Sequence, residues 1–457
     1  MAEARRQTDL ASHTESAKQM VERPLRSSQP TQQHVDDEVT INIREKIQDY
    51  GDGPLSPDYC IYRVPSRIRA LKKEAYTPTI VSIGPFHHGN ERLQDMERQK
   101  YILFKRFIER AKLGLDDLVH RVKHLEPEVR TSYSETIELS TQELVTLILL
   151  DAGFVIALLI MFYEMDEVDT NAKLSEAESW LDTYIRKDLL LIENQLPFFA
   201  IEELFNEAFP NDHRGILPSF RELVYKYFED YNRQNIEPVG MKHFTDLLRS
   251  FYLPGNMSEQ MSERKPFSKV ESHNLLYNAN ALQEFGVKLK ASTGMCLLDL
   301  KLSGRNILEI PQIVVEDGTE MLFHNMIALE QCHYPSKAYI TDYAIVLGCL
   351  LETRKDVNLL VRKKIVLNYV GDSNNVASLF GGLKESVTQP TFNSEYLDIF
   401  QRLNGYCQDP WRWHQMKATL RRDYCGTPWQ VLASIAAILL LYLTAVQTIF
   451  SILQVVK

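Results

Sequence analysis

The C-terminal segment constrains this chain most, because no charged residue occurs over positions 429–456 and only Lys457 follows. A helix needs about 20 apolar residues to cross the hydrocarbon core of a bilayer, at about 1.5 Å of rise per residue. Residues 431–453 meet that length, and Trp429 stands where an interfacial aromatic side chain belongs. The sequence therefore predicts one transmembrane helix over 429–456, and a long buried core helix is the alternative. The predicted anchor includes Trp429, Val431, Leu440, Tyr442 and Leu453.

The flanks of this segment predict its orientation. Lys417, Arg421 and Arg422 precede it, and basic residues beside a span favour the cytosolic side. The first 26 residues lack the apolar core of a signal peptide. We therefore expect a tail-anchored, single-pass protein of the plasma membrane or an endomembrane, with the bulk of the chain in the cytosol. If the domain instead faced away from the cytosol, the sequon at Asn256 would be open to glycosylation.

Charge and cysteine content restrict the function of the remaining chain. A net charge of −10 argues against a nucleic-acid-binding protein that neutralises phosphates. The six cysteines are scattered without a C-x-x-C pair, which is typical of reduced thiols in a cytosolic domain. The sequence contains no phosphate-binding G-x-x-x-x-G-K-[ST] loop, no G-x-S-x-G elbow and no G-x-G-x-x-G turn. No cofactor is implied.

Composition divides the chain into three parts. Residues 1–55 are rich in Gln, Ser, Glu and Arg and are predicted to be a disordered arm. Residues 56–428 are predicted to form a helix-rich globular domain, and residues 429–456 the transmembrane helix. Within the domain, residues 144–163 are nearly as apolar as the C-terminal segment, but Asp151 lies near their middle. A charged carboxyl at a bilayer centre costs about 2.5–3.5 kcal/mol, so we expect a buried core helix, and a second span is the alternative.

Periodicity predicts a mostly α fold with a small antiparallel β element (α+β), plus the one C-terminal transmembrane helix. Alternation around residues 286–316 indicates a hairpin or a three-stranded sheet. Residues 253–269 are predicted to be an exposed, mobile loop. Helices are expected over residues 91–110, 180–209, 241–252, 321–331, 341–351, 356–368, 374–384 and 395–408.

Three segments carry residues that catalysis could use. His87 and His88 are adjacent, but neighbouring side chains of an extended segment point apart and seldom share one metal ion. His324 and Cys332 are eight residues apart on a predicted helix, beside His333, so they share a similar face. In each case a structural role is the simpler interpretation.

The third segment places Glu193, Asn194 and Gln195 directly before Leu196 and Pro197. Asn194 and Gln195 are expected to close a buried hydrogen-bond network at a proline-induced kink. Arg354, Lys355 and residues 362–364 form a basic cluster, predicted to be a solvated face, with anionic lipid headgroups as the alternative contact.

Together these segments resemble a plant family named domain-of-unknown-function 247. The resemblance spans about residue 60 to the end and includes Ile83-Gly84-Pro85-Phe86-His87-His88-Gly89, Asp151-Ala152-Gly153-Phe154, Asp188 to Phe198 and Asn325 to Cys332. It implies a helix-rich domain with one C-terminal membrane helix and supplies no catalytic residues. Some grass relatives are associated with pollen recognition in self-incompatibility, which implies a recognition or signalling role by analogy. The family-motif residues to which we assign structural roles are Gly84, Pro85, His87, His88, Glu193, Asn194, Gln195, Pro197, Glu330 and Gln331.

The sequence thus predicts a membrane-anchored plant protein with the lipid bilayer and an unidentified protein as partners. The lack of a catalytic template leans against an enzyme. A metal-assisted enzyme with a site near His87/His88 or His324/Cys332 is the alternative.

Overall fold

The computed structural model describes residues 59–167, 176–210, 217–255, 263–267, 275–294, 296–387, 391–408 and 428–456, together with residues 40, 43 and 44. The predicted arm over residues 1–55 falls almost wholly outside the described residues, as do Lys417, Arg421 and Arg422. The domain boundaries therefore stay predictions.

The described part is mostly helical, as predicted, with short strands between the helices. The helices are α1 (Ser66–Arg69), α2 (Gln94–Arg110), α3 (Leu115–Thr131), α4 (Thr141–Glu167), α5 (Glu176–Asp188), α6 (Phe198–Ala208), α7 (Phe220–Tyr227), α8 (Phe244–Tyr252), α9 (Ala279–Glu284), α10 (Thr319–Cys332), α11 (Tyr339–Leu350), α12 (Arg354–Arg362), α13 (Ser373–Ser386), α14 (Ser394–Gln408) and α15 (Pro428–Val456). The strands are β1 (Arg264–Pro266), β2 (Lys288–Ser292), β3 (Lys301–Ser303), β4 (Ile307–Pro311), β5 (Ile313–Val315), β6 (Val366–Asn368) and β7 (Thr391–Asn393).

Helix α4 is the centre of the hydrophobic core. A helix that is apolar on every side must be covered on every side, and 83% of the apolar window in this helix is buried. It packs against α2, α3, α6 and α7. Gly153 lets α2 approach closely, because a Cβ there would lie 2.5 Å from a ring carbon of Phe104. The buried core helix expected over residues 144–163 is therefore confirmed.

The strands form a mixed arrangement and not only the antiparallel element that we expected. Strands β3 and β4 pair antiparallel, with Gly304 in the turn at φ +64. Strand β2 pairs parallel with the other edge of β4, and β5 pairs parallel with β6. Alternation of apolar and polar residues reports which face is buried but not the direction of the neighbouring strand.

Two expected segments end differently in the structure. The helix expected over residues 356–368 ends at Arg362, and the chain then enters β6, whose partner β5 is about 50 residues earlier. Part of the expected loop 253–269 is the strand β1, which pairs antiparallel with β7. Its Arg264 binds the buried Asp342 through two hydrogen bonds of 2.8 and 3.2 Å. The rest of that loop lies mainly outside the described residues.

Candidate functional site

The segment between α5 and α6 holds the third group of candidate residues. We expected helix through residues 180–209, but the chain leaves the helix after Asp188 and re-enters it at Phe198. Pro197 occupies the N-cap of α6, where its missing N–H group costs nothing. A residue that precedes proline also avoids the helical region, so Leu196 stays outside a helix and α6 begins directly after Pro197. The polar residues therefore lie in a buried turn and not in a helix.

Asn194 and Gln195 bind the backbone around this turn. The side chain of Asn194 accepts from Ile83 N at 2.8 Å and donates to the carbonyl oxygens of Val81 and Asp188, both at 3.0 Å. The amide of Gln195 donates to two carbonyl oxygens of its own turn, while its oxygen accepts from Phe244 N at 2.9 Å. Both side chains are fully buried. Each replaces hydration that the surrounding backbone loses on folding.

Glu193 joins the same turn to the start of the domain. Its carboxylate accepts from Val64 N at 2.8 Å and from Arg69, and His87 Nε2 lies 3.5 Å away. Burial alone would raise the pKa of Glu193, but the nearby His87 and the hydrogen bonds from Arg69 and Val64 outweigh it and hold the pKa below its ordinary value. The carboxylate is thus charged at neutral pH and fully enclosed, which suits a clamp better than a proton-transfer group.

Asp188 has a role that the sequence analysis missed. One of its oxygens accepts from the backbone N–H groups of Ile80 and Val81 at 2.6 and 3.0 Å, and both oxygens accept from Thr79. Burial raises the pKa of this carboxyl despite these hydrogen bonds. Residues 79–83 thus run along Asp188 and Asn194, whose side chains bind their backbone N–H groups. An acidic residue at the end of a helix, where it opposes the helix dipole, was the available signal.

Gly84 and Asp151 meet at the next point along this segment. Gly84 N donates to Asp151 at 2.8 Å, and the other carboxylate oxygen of Asp151 lies 2.5 Å from Lys100 Nζ. Burial alone would lower the pKa of Lys100, but Asp151 outweighs it and holds the pKa above its ordinary value. Lys100 also donates to Ser82 O at 2.9 Å. Asp151, the acidic residue inside the apolar core helix α4, therefore fixes residues 82–84 directly and through Lys100.

The two adjacent histidines separate. His87 ends a 3₁₀ turn that begins at Pro85, and its side chain is buried towards Glu193. His88 is exposed. In the described part of the chain, no group of three or more His, Cys, Asp or Glu side chains is placed to hold a metal ion.

Glu330 forms a second clamp within α10. Its carboxylate accepts from Arg249 Nε at 3.0 Å, from the N–H groups of Ile340 and Thr341, and from the Thr341 hydroxyl at 2.7 Å. It therefore joins α8 and α10 to the start of α11. Gln331 is half-buried beside it.

Asn325 of α10 binds the backbone of the buried turn between α5 and α6. Its side chain accepts from Ile192 N at 2.9 Å and donates to Ala75 O at 2.7 Å.

His324 and Cys332 face the N-terminal segment of the domain. Burial lowers the pKa of His324 to about 4, and its Nδ1 lies 3.4 Å from the hydroxyl of Tyr76. Burial raises the pKa of the Cys332 thiol to about 11, and the side chain packs against a small apolar cluster. A neutral thiol at physiological pH is a poor nucleophile. Both residues therefore have the environment of core side chains.

A cleft of about 700 Å³ lies elsewhere in the domain, and its volume is in the range of small-molecule sites. Aromatic rings of Phe162, Tyr231 and Tyr252 line it together with Arg186 and other charged groups. Arg186 is held by Asp182 at 2.8 Å and by Asp230 at 3.2 Å. None of the candidate residues named above is part of its lining.

Helix α15 is exposed along most of its described length. Trp429, Leu440 and Tyr442 expose 80%, 68% and 67% of their surface, and Val431 is half-exposed. The side chain of Leu453 lies outside the described residues. The window Trp429–Ile449 is 0% buried, in contrast to α4. By length and composition both helices could cross a membrane, but only α4 is covered by protein.

Comparison with known proteins gives a consistent family. A family model described as "Plant protein of unknown function", domain-of-unknown-function 247, matches residues 61–443. The UPF0481 protein At3g47200 of Arabidopsis thaliana is 30% identical over an alignment of 427 positions that covers 86% of each chain. The UPF0481 protein At3g02645 of the same plant is 21% identical over a gapped alignment of 527 positions that covers 93% of this chain and 96% of the relative. No solved structure matches the chain.

Proposed function

The chain belongs to this plant family of unknown function, and from that premise we propose that it is a single-pass membrane protein. In this proposal α15 is the anchor, and the helix-rich domain lies on the cytosolic side, where it binds a protein partner in recognition or signalling.

The observation that carries the proposal is the contrast between two apolar helices. Helix α4 satisfies its apolar surface inside the domain, while 0% of the window in α15 is covered. A fully exposed apolar helix of this length is a strong aggregation hazard in water, whereas a lipid bilayer would cover it on all sides. Basic residues at positions 417, 421 and 422 support the cytosolic orientation through the positive-inside tendency.

A binding role is supported by how the motif residues are used. Glu193, Asn194, Asp188 and Glu330 all face inward and tie loops to helices. The residues by which the chain resembles its family thus maintain one shape of the domain. A fixed shape displayed at a membrane is what recognition of a partner requires.

The alternative, a metal-assisted enzyme near His87/His88 or His324/Cys332, has weaker support. His87 is enclosed beside Glu193, and Cys332 and His324 are both held in their neutral forms by burial. Metal analysis of the purified full chain discriminates the two functions, because stoichiometric zinc or iron would favour the enzyme.

Deletion of residues 429–457 tests the anchor. We expect the full chain to stay in the membrane fraction after a carbonate wash and the shortened chain to move into the supernatant. A control in which an unrelated 28-residue Leu/Ala span replaces residues 429–456 should return to the membrane fraction. Circular dichroism of the shortened chain checks that the domain keeps its helices. A shortened chain that resists carbonate on membranes would refute the anchor.

A further inference from the structure

All charged residues on the exposed side of α12 are basic. Buried residues Asp356, Val357, Leu359 and Leu360 define the inner side of this helix. Arg354, Lys355 and Arg362 lie on the outer side, and Lys363 and Lys364 continue it into the next turn. We call these five residues, Arg354, Lys355, Arg362, Lys363 and Lys364, the basic face. The helix contains one acidic residue, Asp356, and its buried carboxylate is bound to Thr353 and Asn280.

No carboxylate in the described part of the chain lies within 4.0 Å of a charged nitrogen of the basic face. The acidic residues that flank it in sequence have other partners. Glu352 accepts from Asn278 at 3.0 Å, and Asp372 caps α13 by accepting from Asn374 N at 2.9 Å. Five positive charges are thus grouped on the surface of a chain whose net charge is −10.

Local structure disfavours the residue types found at three of these positions, whereas the helix dipole favours Arg362 in the last turn of α12. Arg354 and Lys355 are the first two residues of α12, where positive charge opposes the partial positive charge of the helix N-terminus. Lys364 has φ +57, a left-handed conformation that glycine or asparagine adopts more readily at a helix end. Residue types that oppose local stability and share one surface point to a function for that surface.

We propose that the basic face binds the anionic lipid headgroups of the membrane that α15 enters. This inference rests on the proposed anchor, which keeps the domain beside a bilayer. In sequence, the 19 residues 409–427 separate α14 from α15, so this connection spans at most roughly 65 Å. Val361, 36% exposed, lies between the basic residues, and Tyr369, 73% exposed, follows them in sequence. Such side chains suit the headgroup region. The remaining acidic surface is repelled by the same lipids, so the face would set the orientation of the domain.

The expected strength follows from the charge count. Each basic residue close to an anionic surface strengthens association about fivefold at physiological salt. The attraction decays within a Debye length of about 8 Å, so the groups must lie near the headgroups and salt must weaken the contact.

Lysine labelling of the full chain in vesicles tests the proposal. The protein is reconstituted with its domain outside, into phosphatidylcholine vesicles and into vesicles that also contain phosphatidylserine, and is treated with a small amine acylating reagent. We expect Lys355, Lys363 and Lys364 to react several-fold more slowly on the anionic vesicles. The exposed lysines Lys105, Lys288 and Lys290, which lie on other elements, should react equally on both. High salt should remove the difference.

A pair of double variants provides the matched control. Arg354→Gln with Arg362→Gln removes two charges from the face and leaves its three lysines as reporters. This variant should weaken association by about 25-fold and restore their labelling. Arg98→Gln with Arg305→Gln removes two exposed charges elsewhere and should leave the protection unchanged.

The outcomes separate this inference from the anchor. Carbonate extraction of the same vesicles reports on the anchor alone, and once the anchor is shown to hold, the labelling ratio between the two vesicle types decides on the basic face. Equal labelling on both vesicle types refutes the inference, as does protection that survives Arg354→Gln with Arg362→Gln. Equal slowing by inorganic phosphate without vesicles would indicate a free-anion site and would also refute it.

Discussion

Gly84 is a residue at which the fold admits no side chain. Its φ of +76 with ψ of −179 belongs to a region that is essentially restricted to glycine. A Cβ at this position would lie 2.2 Å from the carbonyl oxygen of Gln195. The same oxygen accepts from the hydroxyl of Tyr133 at 2.9 Å. The close approach of two loops, separated by more than 100 residues, therefore depends on this glycine.

Replacing Gly84 with alanine should destabilise the domain by about 3 kcal/mol or more, since steric overlap adds to backbone strain. Gly89 provides the matched control, because it has the same φ of +76 but no heavy atom within 4 Å of an added Cβ. Gly89→Ala should cost only about 1–2 kcal/mol. Chemical unfolding of both variants in detergent measures the difference, and equal losses would contradict the role of the contact with Gln195.

His243 is a buried residue whose protonation should weaken the fold. Its Nε2 lies 3.1 Å from Cys60 O, so this nitrogen carries the proton, and Nδ1 accepts from Asp246 N at 3.4 Å. The bond from Asp246 N requires the neutral ring, because a protonated Nδ1 cannot accept. Burial lowers the pKa of His243 from 6.5 to about 4, while the unfolded chain takes up the proton near 6.5. The contribution of His243 to stability is therefore complete above pH 6.5 and is lost as pH falls towards 4.

The corresponding experiment compares slopes and not absolute stabilities. In His243→Gln, the free energy of unfolding should depend less steeply on pH between 6.5 and 4, by about 1.4 kcal/mol per pH unit. The comparison removes contributions from other titrating groups, because both chains share them. An unchanged slope would show that His243 does not titrate differently in the folded state.

At the scale of elements, helix packing decides whether a glycine is required. Gly153 of α4 faces Phe104 and Phe107 of α2, and an added Cβ would lie 2.5 and 2.9 Å from their rings. Gly381 lies in α13 with no atom within 4 Å of an added Cβ. Both glycines are inside helices, where alanine is the better helix former by about 1 kcal/mol.

Alanine substitutions at these two positions should therefore have opposite signs. Gly153→Ala should lower the free energy of unfolding by about 1–2 kcal/mol, because overlap with α2 exceeds the gain in helix propensity. Gly381→Ala should raise it by about 0.5–1 kcal/mol. Thermal unfolding monitored by circular dichroism is sufficient to read the signs. A stabilising Gly153→Ala would mean that α2 moves away from α4 at little cost.

Most predicted helices are present, but α3 and α7 were not predicted, and several element ends differ from the prediction. The expected helix 180–209 is interrupted between Asp188 and Phe198. There the side chains of Asn194 and Gln195 bind backbone N–H groups of distant segments, at Ile83 and Phe244. The expected helix 356–368 ends at Arg362 since β5 offers residues 366–368 a strand partner. The ends of these elements are thus set by neighbours that are remote in sequence, and local propensity alone does not fix them.

At the scale of the whole molecule, the proposed orientation predicts the glycosylation pattern. With the domain in the cytosol, the sequon at Asn256 stays unmodified, although Asn256 itself lies outside the described residues. A sequon added after Lys457 by a short flexible extension should be glycosylated, because it would lie on the opposite side of the membrane. Endoglycosidase digestion of both chains, expressed in plant cells, detects the difference. Glycosylation at Asn256 would show that the domain lies on the side opposite to the cytosol and would contradict the proposed orientation.

The sequence by itself determined the helical class, the two long apolar helices and the family, because composition, periodicity and motifs are all local properties of the chain. Asp151 already indicated in sequence that residues 144–163 are the covered helix. Only the tertiary structure decided which elements cover it, since burial depends on the other elements packed around a helix. It also decided what the motif residues do. Asp188 binds residues 79–81, and Glu193 binds Val64 and Arg69, across more than 100 positions of sequence. A polar residue reveals in sequence that it needs a partner, but the identity of that partner follows from the path of the folded chain.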